Sequence, residues 1–163
     1  MKKIAFVIPW YGEDIPGGAE MELRGLAHHL KDAGMELEIL TTCVKEFTSD
    51  WNVNYHREGV TEVNGIAVRR FKIRKRDTQA FDSVNTKLMN GQMLTKDEEQ
   101  TFIREMVNSD VLYEYMEKHK DEYGLYVFIP YMFGTTYYGS RVCPRKTVLI
   151  PCFHDETYIY MRI

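Results

Sequence analysis

The sequence has no long hydrophobic run, few cysteines and no strong excess of charge of either sign, and each shortage removes a class of protein. The apolar run near the N-terminus, Ile4 to Ile8, follows Met-Lys-Lys and breaks at Pro9 before a charged loop. It is too short for a signal-peptide core and far too short to span a membrane, so it reads as a buried first strand. Cys43, Cys143 and Cys152 are odd in number and widely spaced, with no C-x-x-C pair. That pattern is neither a disulfide framework nor a zinc site, and it reads as reduced thiols in a cytosolic protein. The formal net charge is −3, so no global signal advertises nucleic acid. No His/Cys/Asp grouping has metal-ligand spacing, and no carboxylate pair has the context of a glycosidase. Repeats, low-complexity tracts and linkers are missing too.

What is present suits one domain with a real core: 163 residues, 44% hydrophobic and 28% charged. Tyrosine is frequent, with 11 residues; its amphipathic ring fits wet, sugar-binding surfaces and also fills cores.

The elements alternate. Ile4–Ile8 is a continuous apolar run, as a parallel strand covered on both faces requires. Ala19, Leu23, Leu26, Ala27 and Leu30 then recur at helical spacing, and Gly34 stands where a left-handed C-terminal cap belongs. Met35 to Thr41 alternates as a second strand, which completes a βαβ unit with a right-handed crossover. Residues 43–58 have no period and read as a loop. Gly59 to Phe71 reads as a hairpin about Asn64-Gly65, its second arm supplying a third strand of the main sheet. Thr78 to Met93 has helical character, ending near Asn90-Gly91. Thr95 and Glu98 form a capping box, and the apolar stripe from Phe102 to Met116 predicts one long helix over Lys96–Lys120. Leu125–Pro130 is a strand, Gly134–Arg141 a short helix or turn, and Thr147–Cys152 a strand ending at Phe153-His154-Asp155-Glu156. The order implies a Rossmann-like α/β fold: a five-stranded, mainly parallel sheet, strand order 3-2-1-4-5, with helices on both faces. Ligands belong at the carboxyl ends of its strands. The chain stops at Tyr-Ile-Tyr-Met-Arg-Ile163, inside what reads as a starting helix, so a fragment of a longer protein is expected.

The sharpest motif is the turn Pro9 to Glu20, P-W-Y-G-E-D-I-P-G-G-A-E. It connects a buried strand to a helix N-terminus, where free backbone N–H groups and the helix dipole face a ligand. Gly17 and Gly18 let that ligand lie against bare backbone. The turn is not the G-x-G-x-x-G fingerprint, since Gly12 lies too far upstream and Thr41-Thr42 stand where an acid would end the second strand. It also lacks the Gly-Lys-Ser/Thr ending of a P-loop. A plain structural turn is the alternative.

This strand, turn, helix and Thr-Thr strand end resemble the opening of glycosyltransferase family 4 enzymes, retaining transferases of the GT-B fold that use sugar nucleotides. The later spans D-E-Y-G-L-Y-V-F-I-P-Y and V-L-I-P-C-F-H-D-E resemble the family's fourth and fifth strands. The resemblance covers essentially the whole chain, residues 1–163, as a single acceptor-side domain. It implies a separate C-terminal half that holds most of the nucleoside-diphosphate sugar donor. It also implies that Gly17 and Gly18 approach the donor diphosphate and the acceptor, and that Glu20 follows them as the family's acid. Complementing the helix dipole is the equal alternative for Glu20. His154 matches the histidine near the transferred sugar, and Asp155 would orient it or touch the acceptor; a merely polar surface cluster is the alternative. No metal and no cofactor beyond the donor are implied. His28 and His29 lie on the first helix, away from any cleft.

Arg69, Arg70, Lys72, Arg74, Lys75 and Arg76 crowd one segment. With Phe71 and Ile73 facing the core, Arg70, Lys72, Arg74 and Arg76 would share an outward face. That face would serve an anionic acceptor or the inner membrane surface, or would only protect an edge strand from pairing. The expected function is sugar transfer to a carbohydrate or lipid-linked hydroxyl in polysaccharide or glycolipid synthesis. A non-catalytic nucleotide- or partner-binding domain is the rival. A receiver-like module fits poorly, because the third strand runs into Arg74-Lys75-Arg76 before reaching Asp77.

Overall fold

A computed structural model describes residues 2–163. Six strands form one sheet: β1 (Lys3–Val7), β2 (Leu37–Thr42), β3 (Gly59–Val63), β4 (Ile66–Phe71), β5 (Tyr123–Phe128) and β6 (Thr147–Leu149), in the order β3-β4-β2-β1-β5-β6. All neighbours are parallel except β3, which returns antiparallel on β4. The five parallel strands therefore stand in the expected 3-2-1-4-5 order, with the first arm of the hairpin added at one edge. The fold is Rossmann-like.

Both faces of the sheet are covered. Phe6 and Ile8 meet Leu23 and Ala27 of α1 (Gly18–Asp32) on one face. Ala5, Val7 and Leu40 meet Leu112 and Met116 of α4 (Asp110–Lys118) on the other. This double burial explains why β1 is written as an apolar run. Asn64 and Gly65, at φ 50° and 73°, are both left-handed, the geometry that matches a two-residue turn to strand twist.

At the amino ends of the strands, Glu38 is buried yet charged. It accepts from Lys3 Nζ at 3.2 Å, Arg69 Nε at 2.8 Å and the Tyr123 hydroxyl at 2.6 Å. Burial alone would raise this carboxyl, but the Tyr123 hydrogen bond and the charges of Arg69 and Lys3 outweigh it and hold the value below normal.

Three expectations need correction. The long helix over Lys96–Lys120 is two helices, α3 (Lys96–Arg104) and α4. The break occurs because Asn108, buried at 2% exposure, donates to the carbonyls of Ile103, Arg104 and Met106. Ser109 then caps the next helix, accepting from the Leu112 amide. The fifth parallel strand ends at Leu149 rather than Cys152; Pro151 cannot donate to a ladder, and Cys152 adopts φ 52°. Instead of a starting helix, the C-terminal residues form a single 3-10 turn, Thr157–Tyr160.

The basic segment is corrected as well. β4 is interior to the sheet, flanked by β2 and β3, so it has no edge to protect. Arg70 points inward at 6% exposure, donating to the Tyr11 carbonyl and the Thr61 hydroxyl. Arg76 lies on the rings of Trp51 and Phe81, and Arg74 reaches the Arg104 carbonyl. Lys72 and Lys75 are the exposed members. Among the described residues no helix is long and apolar enough to cross a membrane.

Candidate functional site

A cleft of about 390 Å³ opens at the carboxyl ends of β1, β5 and β6. The turn after β1 supplies Trp10, Pro16, Gly17, Gly18 and Glu20. The segment after β5 supplies Pro130 to Phe133, and the segment after β6 supplies Cys152, His154 and Glu156. Gly17, Gly18 and Glu20 of one turn thus share a cavity with His154, which the sequence places far from them.

The two glycines differ. Gly17 caps α1 at φ 140°, a conformation nearly closed to other residues, and an added Cβ would fall 1.9 Å from Glu20 Oε2. Gly18 is already helical, and a Cβ there would meet nothing within 4 Å. The chain itself needs glycine at 17. At 18 it does not.

Glu20 is 7% exposed. Its Oε1 accepts from the buried Trp10 indole, and its Oε2 lies close to Gly17 over the turn. Arg24 steadies the same turn by donating to the Gly12 and Ile15 carbonyls at 3.1 and 2.9 Å. Behind Trp10 stand Phe133, edge-on at 5.1 Å, and Trp51, stacked at 6.0 Å. Phe47 stands at the mouth, 55% exposed.

On the opposite rim, the Tyr131 hydroxyl donates to Glu156 Oε1 at 2.9 Å. Burial, then the Glu156 hydrogen bond and charge, push this phenol upward, so it stays a donor at neutral pH. Burial also raises the Cys152 thiol, with the Glu22 and Glu20 carboxylates adding to it. It is therefore a thiol and not a ready nucleophile. His154 is exposed beside these groups. Asp155 does not line the cleft; it accepts from the Tyr160 hydroxyl at 3.1 Å. His28 and His29 lie on α1 outside the cleft, as expected.

Trp10, Phe47, Tyr131, Phe133 and Glu156 are wall residues that pattern reading misses. Trp10 and Glu156 sit inside quoted motifs, beside the residues chosen. Phe47 comes from the periodless loop, where no signal exists. Among the described residues no cluster of metal-ligating side chains forms.

The chain matches no family model, no curated protein and no solved structure. Its function must be read from the cleft. Apolar walls with a few convergent polar groups form the usual character of a small-molecule site. Here the polar groups are a buried carboxylate, a phenol–carboxylate pair and an imidazole. They are suited to hydrogen-bonding hydroxyls.

Proposed function

We propose that this chain is the acceptor-side, N-terminal half of a retaining glycosyltransferase of the GT-B type. The full enzyme would move a sugar from a nucleoside-diphosphate sugar to a hydroxyl, in polysaccharide or glycolipid assembly. One observation carries the reading: the glycine turn after the first strand and His154 after the fifth line a single cleft at the carboxyl ends. That is where an open α/β sheet places its ligands. Catalysis in a closed cleft would rest on positioning and on stabilising the departing diphosphate. The chain's own residues would orient the acceptor, with His154 near the transferred sugar. A second half, contributing the opposite wall, would hold most of the donor.

The isolated chain is then expected to bind sugar nucleotides in the millimolar range or not at all. In the full enzyme, Gly18→Val should abolish transfer, and His154→Ala should lower turnover more than stability. Unchanged transfer in Gly18→Val would make the turn a structural device only. A stop codon directly after Ile163 would remove the two-domain reading. Peripheral contact with an acidic membrane would have to use Lys72 and Lys75, since the neighbouring guanidiniums are engaged within the fold.

A non-catalytic binding domain is the second reading, and one feature favours it. Asp155, the group expected to orient His154, is engaged with Tyr160 instead. Tight binding of a sugar nucleotide by the isolated chain, without transfer in any longer form, would select that reading.

A further inference from the structure

Arg70 carries a charge that the fold leaves without a counterpart. It is 6% exposed, and its guanidinium donates to two neutral oxygens, the Tyr11 carbonyl at 2.9 Å and the Thr61 hydroxyl at 2.6 Å. Among the described residues no carboxylate pairs with it. A buried cation with no counter-charge is strongly destabilising, and proteins seldom bury an arginine unpaired. Burial pulls the guanidinium below its ordinary value, and the neighbouring charge that would oppose this is a Cys43 thiolate. Burial pushes that thiol up to about 11, so it stays protonated at neutral pH. Glu58, whose charge also reaches Cys43, is paired with Lys72 at 3.3 Å.

The Arg70 Nε proton is sealed from solvent and meets no acceptor. Two more sealed polar atoms are in the same condition, Thr41 Oγ1 and His56 Nε2. Thr41 is the register partner of Arg70 across β2 and β4. Alternation puts both on the sheet face that carries Ile39 and Val68 beneath α1. His56 is brought in by its amide, which donates at 2.9 Å to the carbonyl of Cys43, two residues past Thr41. The Arg70 charge is felt at both His56 and Cys43.

We infer that Arg70 Nε, His56 Nε2 and the Thr41 hydroxyl are the ligands of one buried halide-sized anion, with chloride as its ordinary occupant, at the carboxyl ends of β2 and β4. The chemistry follows from the donors. A guanidinium N–H, an imidazole N–H and a hydroxyl all offer protons. A water among them would need acceptors for its own two protons and would leave the Arg70 charge uncompensated. A metal ion would be repelled by that same charge. A phosphate or an organic carboxylate needs an opening that atoms sealed from solvent do not give. A monatomic anion takes all three protons and brings the missing charge. The site lies outside the Trp10–His154 cleft and is independent of the glycosyltransferase reading. Its link to the cleft is Tyr11, because the guanidinium that holds the anion also holds that carbonyl of the Pro9–Glu20 turn.

Two measurements on the full chain test this. Crystals grown in sodium bromide should show an anomalous peak between Arg70, His56 and Thr41. Density there without an anomalous signal, or no density, would overturn the anion. In solution, chloride is exchanged for gluconate, an anion too large to enter, at constant ionic strength. The melting temperature should rise with chloride by about 3 °C or more for a millimolar site, and then saturate. Melting that ignores the exchange would also overturn the site. Thr41→Val removes one ligand and a hydroxyl that has no other partner, so the chain should fold as before. Its chloride affinity should fall about tenfold. An unchanged response in Thr41→Val would place the anion elsewhere and overturn this ligand set. Arg70→Met should lose the response outright, and a folded Arg70→Met that keeps it would refute the assignment. Should that variant fail to fold, the bromide peak and Thr41→Val still decide.

Discussion

Alanine at Gly17 and alanine at Gly18 are expected to act in opposite directions, although the positions are neighbours. At Gly17, φ 140° and ψ 151° lie in a region that is essentially glycine-only, and occupying it with a Cβ costs about 1–3 kcal/mol. The new Cβ would also meet Glu20 Oε2 at 1.9 Å. The carboxylate must then swing away and give up the Trp10 indole, leaving a buried donor unpaired at about 1–3 kcal/mol. The sum is about 3 kcal/mol or somewhat more, which in a domain of this size lowers the melting temperature by roughly 6–12 °C. At Gly18 the backbone is helical and the space is open. Alanine there should be neutral or stabilising by up to about 0.5 kcal/mol, because it restricts the unfolded chain. Urea unfolding followed by far-ultraviolet circular dichroism measures both, with equal slopes required for the comparison. A Gly17→Ala midpoint within error of the unaltered chain would refute the steric reasoning. So would a Gly18→Ala protein as unstable as Gly17→Ala. The pair also yields a clean tool: since the fold does not need glycine at 18, any ligand response lost in Gly18→Ala belongs to the ligand.

Glu38→Gln leaves Lys3 and Arg69 beside a buried neutral amide and should cost about 3 kcal/mol at neutral pH. Because the folded Glu38 carboxyl titrates below its ordinary value, its contribution is present above that value and is lost as pH falls through the folded one. The gap between the two proteins in urea midpoint should therefore close in acid; a constant gap would contradict the ion-pair account. Asn108→Ala removes three donated hydrogen bonds at the break between α3 and α4. It should cost about 2–3 kcal/mol and speed amide exchange around residues 105–112; protection that stays native would mean the break is held by packing alone. The Cys43 thiol is fully buried and pushed up to about 11, while the half-buried Cys152 is raised less far. Iodoacetamide should label Cys152 first, faster as pH rises, and Cys43 only on unfolding; mass mapping with Cys43 labelled early would contradict this burial.

Much of the fold was legible because its signals are local. The apolar run at Ile4, the helical spacing of Leu23 and Ala27, and the Asn64-Gly65 turn each specify geometry within a few residues. The Thr95–Glu98 capping box also stands as read, with both reciprocal hydrogen bonds formed. The break after Arg104 was hidden because Met106, Val107, Val111 and Leu112 keep helical spacing across it. Periodicity reports which residues are buried. The carbonyls that Asn108 captures leave no trace in that pattern. Arg70 was misplaced for a related reason: alternation assigned it a face, but the assumption that this face is wet failed, since Arg70 is buried there against the Tyr11 carbonyl and the Thr61 hydroxyl. In the site, the glycine turn and His154 were readable from motif and strand end. The aromatic wall was not, because Phe47 and Trp51 come from a loop whose shape depends on contacts with Trp10, Phe81 and Phe133.

The end of the chain bears on His154. Past the short β6, residues 150–156 cross to the cleft, and the residues after them dock on the helical layer. Tyr158 packs on Phe102 with rings 5.4 Å apart. Arg162 donates to the buried Glu99 at 3.2 Å and to the Leu94 carbonyl at 2.7 Å. Between β6 and these anchors, Tyr131 donates from its amide to the Pro151 carbonyl at 3.2 Å and from its hydroxyl to Glu156 Oε1 at 2.9 Å. The segment carrying His154 is thus a span with two anchored ends and a central rivet. A span of that kind has little slack to surrender when a ligand arrives, so the ordering cost of binding is met during folding and not during recognition.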